Sequence, residues 1–286
     1  MPDDDHITYR SSDGLALYAR DYRTAPAEAP VLLCLHGLTR NSADFASLAE
    51  HLAGGFRVIC ADQRGRGRSD YDPQPARYQP LTYVEDMFTL LDHLQVARVT
   101  VIGTSMGGLM GMLMAARQPE RISALVLNDI GPEVDPRGLA RIQSYVGKSA
   151  PVSDWQQAVA QVRAINGSAF PDFSQTQWRD FAGKIYREQN GVPVLNYDSA
   201  IAAPIDSSKE AAVPPDLWPL FESLSQPLLL VRGELSDILA ASTAAGMCER
   251  GQDCRLVEIP GRGHAPTLDE APARRAIDDF LGALAG

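Results

Sequence analysis

Short, largely apolar runs punctuate this chain at residues 31–35, 56–61, 99–102, 124–127, 228–231 and 256–259. Runs this short, with little alternation and many Val, Leu and Ile residues, predict strands covered on both faces, as in a parallel sheet. Between them the apolar period lengthens. Phe45, Leu48, Ala49 and Leu52 recur at helical spacing, as do Val84, Met87, Phe88, Leu91 and Leu94, and near the end Ile277, Phe280, Leu281 and Leu284. Thr82-x-x-Glu85 has the form of a capping box and predicts where the second of these helices opens. Residues 7–23 instead alternate apolar and polar positions around Ser11-Ser12-Asp13-Gly14, which predicts an opening β-hairpin. Short strands alternating with amphipathic helices make the expected fold class α/β, a mostly parallel sheet flanked by helices.

The rhythm stops over residues 133–221. That interval has no clear strand, and Trp155, Trp178 and Trp218 all fall within it. Two helices are expected there, one opening at Ser153 with Gln156 three residues on, the other at Ser174 with Gln177. Their apolar stripes are Trp155, Val159 and Val162, and Trp178, Phe181 and Ile185. We read 133–221 as a helical insertion over the C-terminal edge of the sheet, where ligands of open α/β sheets bind. It interrupts a core domain made of residues 1–132 and 222–286. Trp155, Trp178 and Tyr186 are its candidate substrate contacts.

One stretch brings chemistry into this frame. Gly103-Thr104-Ser105-Met106-Gly107-Gly108 stands between a predicted strand, Val99-Thr100-Val101-Ile102, and a predicted helix beginning at Leu109. A serine at such a corner sits in a tight, strained turn with its hydroxyl exposed, and flanking glycines let strand and helix approach. The same turn aims the Met106 amide and the helix N-terminus at the place where a negative oxygen would form. A serine hydroxyl needs a base, and the base needs an acid to fix its tautomer. Of five histidines, only His264 sits in a Gly-rich loop directly after the last predicted strand, Pro260-Gly261-Arg262-Gly263-His264. The acid is expected after the preceding strand, in Arg232-Gly233-Glu234-Leu235-Ser236-Asp237; Asp237 is taken for it, with Glu234 and Asp129 as further candidates.

With His36-Gly37-Leu38 after the strand at 31–35, the Ser105 corner, Asp237 and His264, the chain resembles the α/β-hydrolase family over nearly its whole length. The resemblance is weakest in the insertion, which matches the family's cap, placed after the sixth strand. It implies that Leu38 and Met106 donate backbone N–H groups to an oxyanion hole. It also implies that Arg64-Gly65-Arg66-Gly67-Arg68-Ser69 is a loop shaping the entrance. The activity implied is serine hydrolysis of small, fairly apolar carboxylic esters or lactones through an acyl-enzyme on Ser105. A C–C bond hydrolase or enol-lactonase acting on anionic ring-cleavage products, with the arginines near the entrance as anion contacts, is the alternative. A non-catalytic ligand-binding protein of the same fold is the remote one. Dehalogenase and epoxide-hydrolase chemistry is excluded, because those relatives need an aspartate where Ser105 stands.

Composition narrows the partners further. A formal net charge of −10 argues against nucleic acid and anionic membranes, despite the Arg64, Arg66 and Arg68 triplet. The start, Met1-Pro2-Asp3-Asp4-Asp5-His6, has no apolar segment, and a cytoplasmic enzyme acting on a small molecule is expected. No metal or organic cofactor is implied. The four cysteines lack metal-ligand spacing; Cys34 and Cys60 read as buried thiols, and a cytoplasmic address disfavours a disulfide between Cys248 and Cys254.

Overall fold

The structure, a computed structural model, describes residues 4–206 and 216–285. The acidic start at Met1, Pro2 and Asp3 lies outside the described residues. The chain opens with the expected hairpin, β1 (Asp4–Arg10) and β2 (Ala16–Tyr22). There follow β3 (Val31–Leu35), α1 (Ala46–Leu52), β4 (Arg57–Asp62), α2 (Pro80–His93), β5 (Val99–Thr104), α3 (Met106–Arg117) and β6 (Ile122–Asn128). The chain then leaves the sheet for an inserted segment, termed the cap for its expected role, before returning to the sheet. The cap holds α4 (Pro136–Tyr145), α5 (Trp155–Asn166), α6 (Gln175–Ile185), β7 (Tyr186–Gln189), β8 (Val192–Leu195) and a short turn of helix, α7 (Ala203–Asp206). After α8 (Trp218–Glu222) come β9 (Leu228–Gly233), α9 (Ala241–Arg250), β10 (Cys254–Ile259) and α10 (Ala271–Ala285).

Eight strands form one sheet in the order β1-β2-β4-β3-β5-β6-β9-β10. The hairpin and its pairing to β4 are antiparallel, and every other pair is parallel. This is the mostly parallel α/β sheet that the short apolar runs predicted. Except in the edge strand β10, where Leu256 is exposed, those runs are apolar on both faces because both are covered. Leu33, Leu35, Val101 and Leu125 pack on one side with α2, α3 and α9 residues such as Met87, Met110 and Met247. Leu32, Cys34, Ile102 and Val126 pack on the other with Leu48 and Leu52 of α1 and Ile277 and Phe280 of α10. Met110, Met112 and Met114 are fully buried core residues. Among the described residues no helix is long and apolar enough to cross a membrane.

Several local expectations shift. The helix α2 opens at Pro80 with Gln79 as N-cap, not at Thr82, because proline at the first helical position has its φ already set and loses no bond. In the cap, Ser174 and Gln177 do form a reciprocal capping box, but α5 is capped by Asp154 accepting from Gln157 N, not by Ser153. The interval read as strandless holds the hairpin β7–β8. Its turn is Asn190-Gly191, both at positive φ, the residue pair that a two-residue hairpin turn favours. Polar, exposed Arg187, Glu188 and Gln189 hid the strand before it. Cys248 and Cys254 form a disulfide, against the expectation, since the turn from α9 into β10 brings their Cα atoms to 4.9 Å. Cys34 and Cys60 are free and buried.

Two close contacts position the loops at the C-terminal edge of the sheet. A Cβ on Gly107 would lie 2.0 Å from the Leu35 carbonyl oxygen, so α3 can cross β3 at this distance only without a side chain there. His36 is buried and joins two loops: Nδ1–H donates to Gly37 O at 2.7 Å, and Nε2 accepts from Gln63 N at 3.0 Å. Burial holds the His36 imidazole neutral, pushed down to about 4 from an ordinary 6.5.

Gly107→Ala should therefore cost about 3 kcal/mol or more by urea unfolding, while Gly54→Ala, with open space at its Cβ, should be neutral or slightly stabilising. An equal response at the two sites would contradict the packing account. The unfolded chain binds a proton at His36 that the folded chain refuses between about pH 6.5 and pH 4. Stability is thus full above the unfolded value and falls as pH drops through this window, by about 3 kcal/mol from this group. His36→Gln should flatten that part of the urea-midpoint profile; an unchanged slope would count against it.

Candidate active site

Ser105 occupies the corner between β5 and α3 at φ 53° and ψ −117°, outside the regions ordinary L-residues favour. The surroundings hold it there. Ser105 N donates to Asn128 O at 2.9 Å, and Gly108 N and Leu109 N donate back to Ser105 O at 2.9 and 3.0 Å. A Cβ on Gly103 would come within 2.4 Å of the Gly107 backbone, so the corner closes this tightly only with glycine. Asn128, the last residue of β6, also donates from Nδ2 to Thr104 Oγ1 and to Pro266 O. One amide thus ties the corner to the loop that carries His264.

That loop delivers the imidazole. His264 Nε2 lies 2.9 Å from Ser105 Oγ, and its Nδ1 lies 2.8 Å from Asp129 Oδ2. A carboxylate only accepts, so Nδ1 carries the proton and Nε2 is left to accept from the serine hydroxyl. Asp129 is fully buried. Its Oδ1 accepts from Gly233 N at 2.9 Å, and Oδ2 accepts from Ser236 Oγ at 2.6 Å as well as from His264. These bonds supply what a buried carboxylate requires. The Ser236 oxygen in turn accepts from Ile238 N and Leu239 N, so the hydroxyl has one direction left to donate.

Asp237, the expected acid, is not the carboxylate on His264. It turns toward the cap and takes both arms of Arg141 on α4, at 2.5 and 2.8 Å. Burial alone would raise its carboxyl, but the Arg141 fork and the neighbouring His264 hold it below the usual carboxylate range. Glu234 accepts from Gly261 N at 2.7 Å and braces the His264 loop from outside. The difference has a backbone origin. Asp129 directly follows β6 at φ +59°, with its N–H on Val231 O, a conformation that sends the carboxylate across β9 to the ring. The readable signal was a short acidic residue at the end of a strand adjacent to β5, since Asn and Asp tolerate positive φ better than most residues.

A cavity of about 140 Å³ opens onto Ser105 and His264. Gly37, Leu38 and Thr39 of the loop after β3 form part of its rim, and a Cβ on Gly37 would stand 3.8 Å from that of Ser105. Met106 begins α3 directly after Ser105, where backbone N–H groups have no acceptor within the helix. Of the three cap aromatics expected at the substrate, Tyr186 lines the cavity. Trp178 is instead buried in the cap's own core, edge-on to Phe170, Phe173 and Phe181, and Trp155 turns its indole N–H to Glu188. The walls are mixed, with Ile142, Phe181 and Ile185 beside Gln161, Arg40 and Lys184.

Of the three arginines expected at the entrance, Arg64 and Arg66 are buried in the fold and Arg68 is exposed. Arg64 is 1% exposed and paired with Asp13, Asp72 and Asp86 at 2.6–2.8 Å. Arg66 is fully buried, and Arg68 bonds Tyr18 OH at 3.0 Å. None of them lines the cavity at Ser105.

A comparison with known proteins agrees with this fold. An alpha/beta hydrolase of solved structure from Novosphingobium aromaticivorans superposes with a TM-score of 0.92 at 45% identity, covering 99% of both chains. The 3-hydroxybutyrate-oligomer hydrolase of Cupriavidus necator is 38% identical over 90% of each chain. The 3-oxoadipate enol-lactonase 2 of Acinetobacter baylyi is 27% identical over 89% of this chain and 90% of its own. With the alpha/beta hydrolase fold family model matching residues 30–271, a strand order and serine corner to suit, and relatives of full length, the chain belongs to the α/β-hydrolase fold family and is a hydrolase.

Proposed function

We propose that this hydrolase cleaves small carboxylic esters or lactones by acyl transfer to Ser105. The observation that carries the reading is the unbroken line of contacts from Ser105 Oγ through His264 to buried Asp129. As Oγ bonds to the carbonyl carbon, its proton passes to His264 Nε2 and the carbonyl π pair moves onto oxygen. Leu38 and Met106 N–H groups receive that oxyanion. Collapse expels the alcohol, which takes the proton from His264. Water then gives its proton to the same nitrogen, attacks the acyl carbon and releases the acid. Asp129 keeps Nδ1–H in place and stabilises the imidazolium. Asp237 serves another purpose, clamping α4, which carries Ile142 and Tyr145 to the cavity wall.

Ester chemistry draws support from the relative named for oligomers of 3-hydroxybutyrate, which are ester-linked chains. A second reading, an enol-lactonase or C–C hydrolase taking anionic substrates, draws on the enol-lactonase relative and on the charges at the cavity. Arg40 there is matched by Asp44 at 2.6 Å, whereas Lys184 takes part in no ion pair among the described residues. Preference for a dienoate diketone or an enol-lactone over simple esters in a substrate panel would select it.

Ser105→Ala should lower turnover of a short p-nitrophenyl ester by at least about 10⁴-fold with the fold intact. Asp129→Asn should cost about 10³ to 10⁴-fold through the wrong tautomer, and Asp237→Asn about tenfold at most. The reverse ranking of the two aspartates in steady-state kinetics would move the acid back to Asp237, and a fully active Ser105→Ala would refute the acyl-enzyme.

A further inference from the structure

Two arginines stand two residues apart in the loop after β4, both buried, and the fold treats them in opposite ways. Arg64 has three aspartates around it. Arg66 has no carboxylate within 4.0 Å among the described residues. Its partners are neutral: Nε–H donates to Leu38 O at 2.9 Å, and Nη1 donates to Arg64 O at 2.8 Å and to Tyr83 OH at 2.9 Å. Nη2 rests on Met106 Sδ at 4.0 Å. The rings of Tyr83 and Tyr78 lie 4.9 and 5.5 Å from its guanidinium carbon. A buried cation without a counter-ion is costly, and apolar replacement of buried charge is often neutral or stabilising. A need for stability alone therefore does not account for this charge.

Its position does. The two residues it touches in this way, Leu38 through its carbonyl and Met106 through its sulfur, are the two whose backbone N–H groups are proposed above to receive the oxyanion. We propose that Arg66 is a positioning residue for the oxyanion: it fixes the orientation of Leu38 through that residue's carbonyl, and it holds an unmatched positive charge behind both donors. The charge finds its anion only when the substrate carbonyl becomes tetrahedral. Such a field, fixed before the reaction, favours the transition state over bound substrate and so acts on kcat more than on KM. Charge already balanced by carboxylates, as at Arg64, would not act in this way.

The inference rests on the acyl-transfer reading above, and the two fail differently. Hydrolysis that survives Ser105→Ala removes both; Ser105-dependent hydrolysis that ignores Arg66 removes this one alone. The test compares Arg66→Met and Arg66→Lys with the parent chain, using p-nitrophenyl butyrate and an alkyl boronic acid, which forms a tetrahedral anion on a serine. Arg66→Met should lose about 10²-fold in kcat with KM within twofold. It should bind the boronic acid more weakly by the same factor, and its urea midpoint should not fall. Arg66→Lys keeps the charge but not the fork, and should recover part of both losses. If Arg66→Met does not fold, Arg66→Lys alone decides: kcat and boronate affinity must fall together at unchanged KM. A folded variant with both quantities within threefold of the parent overturns the proposal. So does a loss confined to the unfolding midpoint.

Discussion

The arrangement depends on one imidazole held between two oxygens supplied by different strands. Each contact in that line is short, but none of the three residues is near another in the chain. Ser105 comes from the end of β5, Asp129 from the end of β6, and His264 from the loop after β10. What brings them together is the parallel sheet, whose strand ends all point to one edge. Two of the three, Ser105 and Asp129, sit at positive φ. Backbone strain of this kind persists only where surrounding bonds over-determine it. Here the Asn128 amide and carbonyl supply those bonds, linking corner, β6 and the histidine loop.

Much of this was legible in the residues themselves. The strands were readable because burial on both faces leaves no polar position to blur the run, as at Leu32, Leu33, Cys34 and Leu35. The serine corner was readable because Gly103 and Gly107 are demanded by contacts of 2.4 and 2.0 Å that admit no side chain. His264 followed from its place after the last strand. The acid was not settled in the same way. Aspartates stand after both β6 and β9, and chain order alone does not say which one faces the ring. The answer lies in a backbone torsion at Asp129 and in a cap arginine, Arg141, that turns Asp237 away.

Charge was the harder property to read. An Arg-x-Arg-x-Arg run beside a binding edge suggested contacts for an anion, yet Arg64 and Arg66 are buried in the fold, and Arg68, though exposed, stands outside the cavity at Ser105. Arg64 is matched by aspartates distant in sequence, which spacing does not reveal. The cap was legible as helices through capping residues such as Ser174 and Gln177. Its hairpin was not, because a strand with one exposed, polar stretch has little apolar pattern to show. Aromatic residues there serve the cap first: Trp178 packs among Phe170, Phe173 and Phe181, and Tyr186 alone of the three candidates reaches the cavity.

The claim that most of this stands on is covalent, and mass can be read directly. Rapid acid quenching of the wild-type chain during turnover of p-nitrophenyl acetate, followed by peptide mass spectrometry, should find an acetyl group on Ser105. An acetyl group on another side chain, or turnover with none on the protein, would contradict the account.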